Sequence, residues 1–128
     1  LGLWSERTVI GTLAAFGSLA AADNLKRLKD RGATVLYGTD FGNTQFAGIQ
    51  PGELRALASA GLDAAAVLDA GTSAAARFWD LPELGGLALG QRASFLVLDA
   101  DPARDLLTLS RPLAVYIDGV MRSAASDP

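Results

Sequence analysis

Asp40 is the side chain in this sequence best placed to do chemistry. It follows the apolar run Ala33-Thr34-Val35-Leu36-Tyr37, rich in β-branched and aromatic residues, and closes the segment Gly38-Thr39-Asp40. A short run of that kind between glycines reads as a buried strand of a parallel sheet covered by helices. Catalytic side chains project from the carboxyl ends of such strands in α/β barrels, so an acid there suggests chemistry more than packing. The competing reading is that Asp40 accepts backbone N–H bonds in a strand-to-loop turn, a common use of Asp. On Gly-Thr-Asp alone, the turn reading leads. Asp40-Phe41-Gly42 also matches the metal-holding tripeptide of protein kinases, but a kinase needs a His-Arg-Asp type loop upstream, and this sequence contains no His.

The elements that would carry Asp40 read as follows. A helix over residues 12–31 puts Leu13, Phe16, Ala20, Asn24 and Leu28 on one face, with Asn24 expected as a buried amide satisfied by a loop carbonyl. Lys26, Arg27, Lys29 and Arg31, then Gly32, suit its C-terminus. Residues 1–10 read as a loop or the end of an earlier element. The polar loop after Gly42 carries Phe46, which with Phe41 either lines a substrate pocket or packs. Pro51 starts a helix whose N-terminus Glu53 complements, with Leu54, Leu57 and Ala58 buried and Gly61 as the stop. Asp63 caps a helix over residues 64–70, and Thr72 or Ser73 a further one ending near Trp79.

From Leu84 the periodicity changes. Residues 95–98 and 113–117 read as strands, and Asp118-Gly119 as a hairpin turn with little strand after it. Asp99, Asp101 and Asp105 fit a solvated turn better than a calcium loop, since Pro102 interrupts them and no distal Glu completes the pattern. Residues 123–128 read as a frayed tail. No internal repeat or low-complexity block is evident, and residues 81–90 read as a linker.

Composition bounds the function. The sequence has 128 residues, 50% hydrophobic and 20% charged, which allows one small core. A net charge of -3 and a pI near 4.7 provide no basic footprint for nucleic acid or an anionic membrane. The absence of Cys removes disulfide and thiolate–metal chemistry. No stretch reaches the roughly 18 apolar residues of a membrane span. Localisation is not readable, and a first residue of Leu rather than Met is read as upstream sequence being missing.

Together, Val35-Leu36-Tyr37-Gly38-Thr39-Asp40, the Ala- and Leu-rich helices and Gly90-Gln91-Arg92-Ala93-Ser94-Phe95-Leu96-Val97-Leu98-Asp99 resemble the C-terminal portion of an amidohydrolase-superfamily metal-dependent hydrolase. The likeness is to the branch with imidazolonepropionases and prolidase-like carboxypeptidases, in order and spacing over residues 25–121. It implies an α/β fold: the closing strand and helices of a metal-dependent (β/α)8 barrel over residues 1–80, then return strands of a small appended β-sandwich over residues 81–128. Ser94 departs from the family pattern, which usually has Asp before that strand.

The resemblance implies that Asp40 is a metal ligand and the general base, with Gly38 letting the backbone crowd the centre and Thr39 orienting the carboxylate. It reverses the preference for a turn role. The implied function is hydrolysis, by metal-activated water, of an amide or other C–N bond (not peptide) of a small molecule or dipeptide. The implied cofactor is a divalent metal, zinc foremost, with most ligands outside this chain. One barrel strand cannot close a barrel, and its unpaired edge groups would each cost about 1–3 kcal/mol if buried. The expected partners are therefore the missing N-terminal part of the barrel and the substrate, with no nucleic acid and no membrane. Homo-oligomerisation is left open. Alone, the chain is expected to be unstable and inactive. The alternative is a non-catalytic structural or assembly piece of an incomplete amidohydrolase-like chain.

Overall fold

The structure is a computed structural model and describes residues 6–45 and 47–124, without the side chains of residues 19 and 124. It is a mixed α/β arrangement with two separate sheets. The first is a parallel pair, β1 (Thr8–Gly11) and β2 (Thr34–Tyr37), in the register Thr8 to Thr34 through Gly11 to Tyr37. Helices α1 (Leu13–Phe16) and α2 (Leu19–Lys29) connect them. The second sheet is antiparallel, β3 (Phe95–Val97), β4 (Ala114–Ile117) and β5 (Val120–Ala124) in that order. Between the sheets in sequence lie α3 (Pro51–Ser59), α4 (Ala64–Gly71) and α5 (Ser73–Phe78).

Of residues 1–10, expected as a loop or the end of an earlier element, residues 8–11 form the strand β1, so Asp40 follows a strand that is paired on one edge. A four-residue strand whose partner is distant in sequence carries too little local pattern to be recognised. The helix expected over residues 12–31 is two helices. Gly17 adopts φ +58 and donates its N–H to Leu13, ending α1, and the chain restarts at Ser18 in an extended conformation. The left-handed turn costs Gly little and breaks the expected apolar face. Phe16 is 72% exposed and Asn24 lies in solvent, whereas Leu25 is buried. The buried-amide reading of Asn24 is thereby replaced.

The core gathers Leu25 of α2, Val35 of β2, Leu54 and Leu57 of α3, Val67 of α4 and Leu109. Successive residues Val35 and Leu36 are both buried, so β2 is covered on both faces, as the apolar run required. Ala58 faces solvent; Ala60 occupies the buried position instead. Asp63 caps α4 as expected, its carboxylate accepting from Ala66 N at 2.8 Å. Thr72 precedes α5 without capping it; its hydroxyl donates to Leu68 O.

The antiparallel sheet turns at Asp118 (φ +54) and Gly119 (φ +77). Both left-handed residues match the twist of a tight hairpin. The strand after the turn runs five residues, so Ser123 belongs to β5 and not to a tail; residues 125–128 lie outside the described residues. Phe95 and Tyr116, opposite each other in register, stack with centroids 4.7 Å apart. Among the described residues no helix is long and apolar enough to cross a membrane.

Candidate active-site carboxylate

Asp40 stands just beyond the carboxyl end of β2, where a close approach of two backbones sets the course of the chain. Gly38 packs against the end of β1: a Cβ at Gly38 would lie 2.7 Å from Ile10 Cγ2 and 2.9 Å from the Gly11 carbonyl oxygen. No residue but Gly fits there without separating β1 from β2. The chain then turns at Asp40, which is half-buried with φ +54. Asp tolerates this left-handed conformation better than most residues because its short polar side chain bonds locally.

The turn is built from Asp40 itself. Its backbone oxygen accepts from Asn43 N at 3.1 Å and Thr44 N at 3.0 Å. Its side-chain Oδ2 accepts from Asn43 Nδ2 at 3.1 Å. Thr44 Oγ1 donates to the Thr39 carbonyl at 2.9 Å, closing the loop on the strand end. The bond expected from Thr39 thus comes from Asn43. That pairing was within reach of the sequence, since Asp followed three residues later by Asn is a short-range turn pattern. The two readings of Asp40 are not exclusive in this geometry. Its backbone makes the turn, and its carboxylate keeps one oxygen, Oδ1, without a hydrogen-bond partner among the described residues.

Phe41 projects beside Asp40, 68% exposed, in a bridge with Thr44. Phe46 lies outside the described residues. A cavity of about 640 Å³ opens between the helices and the antiparallel sheet, bounded by Tyr37, Leu68, Trp79, Phe95 and Tyr116. Asp40 and Phe41 are not among its lining residues, so this open apolar cleft is separate from the carboxylate.

A second acid was not foreseen as part of this end of the sheet. Glu53, in the first turn of α3, is fully buried, and its Oε2 accepts from Ala14 N of α1 at 2.6 Å. The residue expected to serve the N-terminus of its own helix serves that of α1, where Thr12 provides no side-chain cap. Its Oε1 has no partner among the described residues. Leaving a buried polar group without its hydrogen-bond partner costs about 1–3 kcal/mol, so the Ala14 bond matters to the local fold.

Tyr37, the last residue of β2, accepts from Gln50 N at 2.7 Å through its hydroxyl, tying the loop that carries Asp40 to the start of α3. Burial pushes the Tyr37 hydroxyl pKa up, so it stays protonated.

Strand, close glycine and terminal carboxylate occur within a sequence whose residues 20–122 match the Amidohydrolase family. The chain belongs to the amidohydrolase family. No curated protein matches the sequence significantly. Solved structures share the fold. A crystal structure of an amidohydrolase superposes with a TM-score of 0.75 at 23% identity, covering 94% of this chain and 35% of that one. A Xaa-Pro dipeptidase with methionine in its active site gives 0.73 at 22% identity, covering 81% and 26%. A prolidase complexed with N-methylphosphonate-L-proline gives 0.66 at 20% identity, covering 84% and 27%. This amidohydrolase-family chain therefore spans about a third or less of the structures it matches.

The donor set of the chain does not by itself fit a catalytic metal. The sequence holds no His and no Cys, and among the described residues no three Asp or Glu side chains come together. A catalytic zinc is usually held by three protein ligands. Asp40 offers one. The acids at the start of the second sheet are used locally: Asp99 accepts from Thr108, Asp101 from Ala103 N, and Asp105 from Leu107 N and Arg111.

Proposed function

We propose that these residues form the C-terminal part of a metal-dependent hydrolase that cleaves an amide or other C–N bond, outside ordinary peptide bonds, of a small molecule or dipeptide. The observation that carries this reading is the carboxylate of Asp40 at the end of a parallel strand, oriented by Asn43, in a chain of the amidohydrolase family. The prolidase and dipeptidase among the similar structures favour a dipeptide-sized substrate.

In this reading the fold completes to a (β/α)8 barrel, with β1 and β2 as adjacent strands of the closing segment and residues 81–128 as part of an appended sandwich. The parallel pairing of β1 and β2 through helices supports it. The remaining metal ligands and strands would come from polypeptide outside these residues; Asp40 would be one ligand, and a bound divalent metal, zinc foremost, would activate a water for the attack.

The role of this chain is narrower. Asn43 holds Oδ2 of Asp40, which leaves Oδ1 to take the proton of the attacking water. Phe41 presents an exposed apolar face next to it for substrate.

A second reading is a non-catalytic assembly piece. The test is metal content and C–N hydrolase activity of the complete polypeptide, wild type beside Asp40→Asn. Bound metal with activity lost in the variant supports the hydrolase. A metal-free protein with no change on substitution supports the assembly piece.

A further inference from the structure

We infer that Glu53 is a positioning residue for Asp40, acting across the carboxyl ends of both parallel strands; the inference rests on the proposed role of Asp40. Glu53 is fully buried, and although it stands in the first turn of α3 its hydrogen bond is not to its own helix. It bonds instead to Ala14 N, 39 residues earlier, in the segment that follows β1. The carboxylate packs closely over Gly11: a Cβ there would lie 3.3 Å from Glu53 Oε1 and 3.2 Å from Leu57 Cδ2, tight enough that the neighbours would have to shift.

Gly11 is also the residue whose carbonyl oxygen meets Gly38, at 2.9 Å from where a Cβ would be. Three contacts therefore form one chain. Glu53 fixes the turn after β1, that turn fixes the Gly11 carbonyl, and the carbonyl leaves Gly38 a single path toward Thr39 and Asp40. Tyr37 completes the bracket, since its hydroxyl accepts from Gln50 N just before α3. The end of β2 is thus held from both sides by the first turn of one helix.

A buried carboxylate that served packing alone would be replaceable by an apolar residue of similar volume. A positioning role predicts a different pattern. In the complete polypeptide, assayed with a Xaa-Pro dipeptide, Glu53→Leu removes the acceptor and lowers kcat about tenfold, with KM within about twofold, because small misplacements of reacting groups are costly. Glu53→Gln keeps an acceptor for Ala14 N–H and holds kcat within about threefold of wild type. Unchanged kcat in folded Glu53→Leu overturns the inference, as does a loss in Glu53→Gln equal to that in Glu53→Leu.

If Glu53→Leu does not fold, Glu53→Asp decides. It keeps the carboxyl group but withdraws it by one methylene, and unchanged kcat then overturns the inference. Asp40→Asn is measured alongside. Wild-type turnover in Asp40→Asn removes the catalytic reading on which the inference rests. Loss in Asp40→Asn with none in the Glu53 variants removes the inference alone.

Discussion

The carbonyl oxygen of Gly11 lies where only a glycine can stand opposite it, 2.9 Å from the position a Cβ would take on Gly38. This contact joins the ends of the two parallel strands immediately before the chain turns at Asp40. A methyl group there meets backbone, which cannot rotate away as a side chain can. Gly38→Ala is therefore expected to destabilise the complete polypeptide by about 1–3 kcal/mol, the usual cost of overpacking. Urea unfolding measures it. A change under about 0.5 kcal/mol would mean that the strands separate freely at this point.

Asn43 is the hydrogen-bond donor to Asp40, with Nδ2 at 3.1 Å from Oδ2. Partners that orient a ligating carboxylate are typically worth 10–100-fold in activity or metal affinity. On the proposed role of Asp40, Asn43→Ala should lower kcat/KM of the complete polypeptide by about that factor while leaving the thermal midpoint within a few degrees. Wild-type kinetics would show that the bond serves the turn alone.

The hairpin of the second sheet provides a pH prediction. Asp118 receives a bidentate pair from Arg92, at 2.7 and 2.6 Å, and its N–H donates to Ser94 Oγ at 3.1 Å. The Arg92 hydrogen bonds hold the Asp118 carboxyl below its ordinary value, with Arg92 charge and Ser94 adding to the effect. A depressed folded-state pKa gives stability that is present above the unfolded pKa and lost as pH falls through the folded one. The loss should therefore occur below about pH 4. Asp118→Asn tolerates the left-handed conformation and removes the charge, so its thermal midpoint should lie below that of wild type at neutral pH and converge with it in acid. The pair is half-exposed and screened by salt, so the gap should shrink at high ionic strength. A gap that persists unchanged into acid would assign the effect to shape.

Ser94 stands where the resemblance leads to an expectation of Asp, and it still bonds the hairpin turn. Its hydroxyl accepts from Asp118 N, and Gly119 N donates to Ala93 O at 2.7 Å, so the segment before β3 still grips the hairpin turn.

Features encoded by neighbouring residues were legible in the sequence. Pro51 starts α3, Asp63 caps α4, Asp118-Gly119 makes the turn, and the apolar run before Gly38 is a strand buried on both faces. Features that depend on distant contacts were not. β1 is four residues long and exists through its pairing with β2, and Glu53 finds its acceptor role on Ala14 across two other elements. The helix over residues 12–31 failed for a local reason, since Gly17 was passed over in favour of a periodicity that its left-handed turn interrupts. The position of Asp40 at a strand end was read correctly, while its orienting partner was assigned to the hydroxyl next to it rather than to the amide one turn later.

The measurement that tests the account most directly is kcat of the complete polypeptide with Asp40→Asn, at neutral pH and matched metal content. Asn keeps the left-handed turn and the side-chain shape but cannot take a proton from water. The account predicts a loss of about 100-fold or more with the fold intact, the scale of a positioned general base. Turnover equal to wild type would contradict it and leave Asp40 as a turn residue.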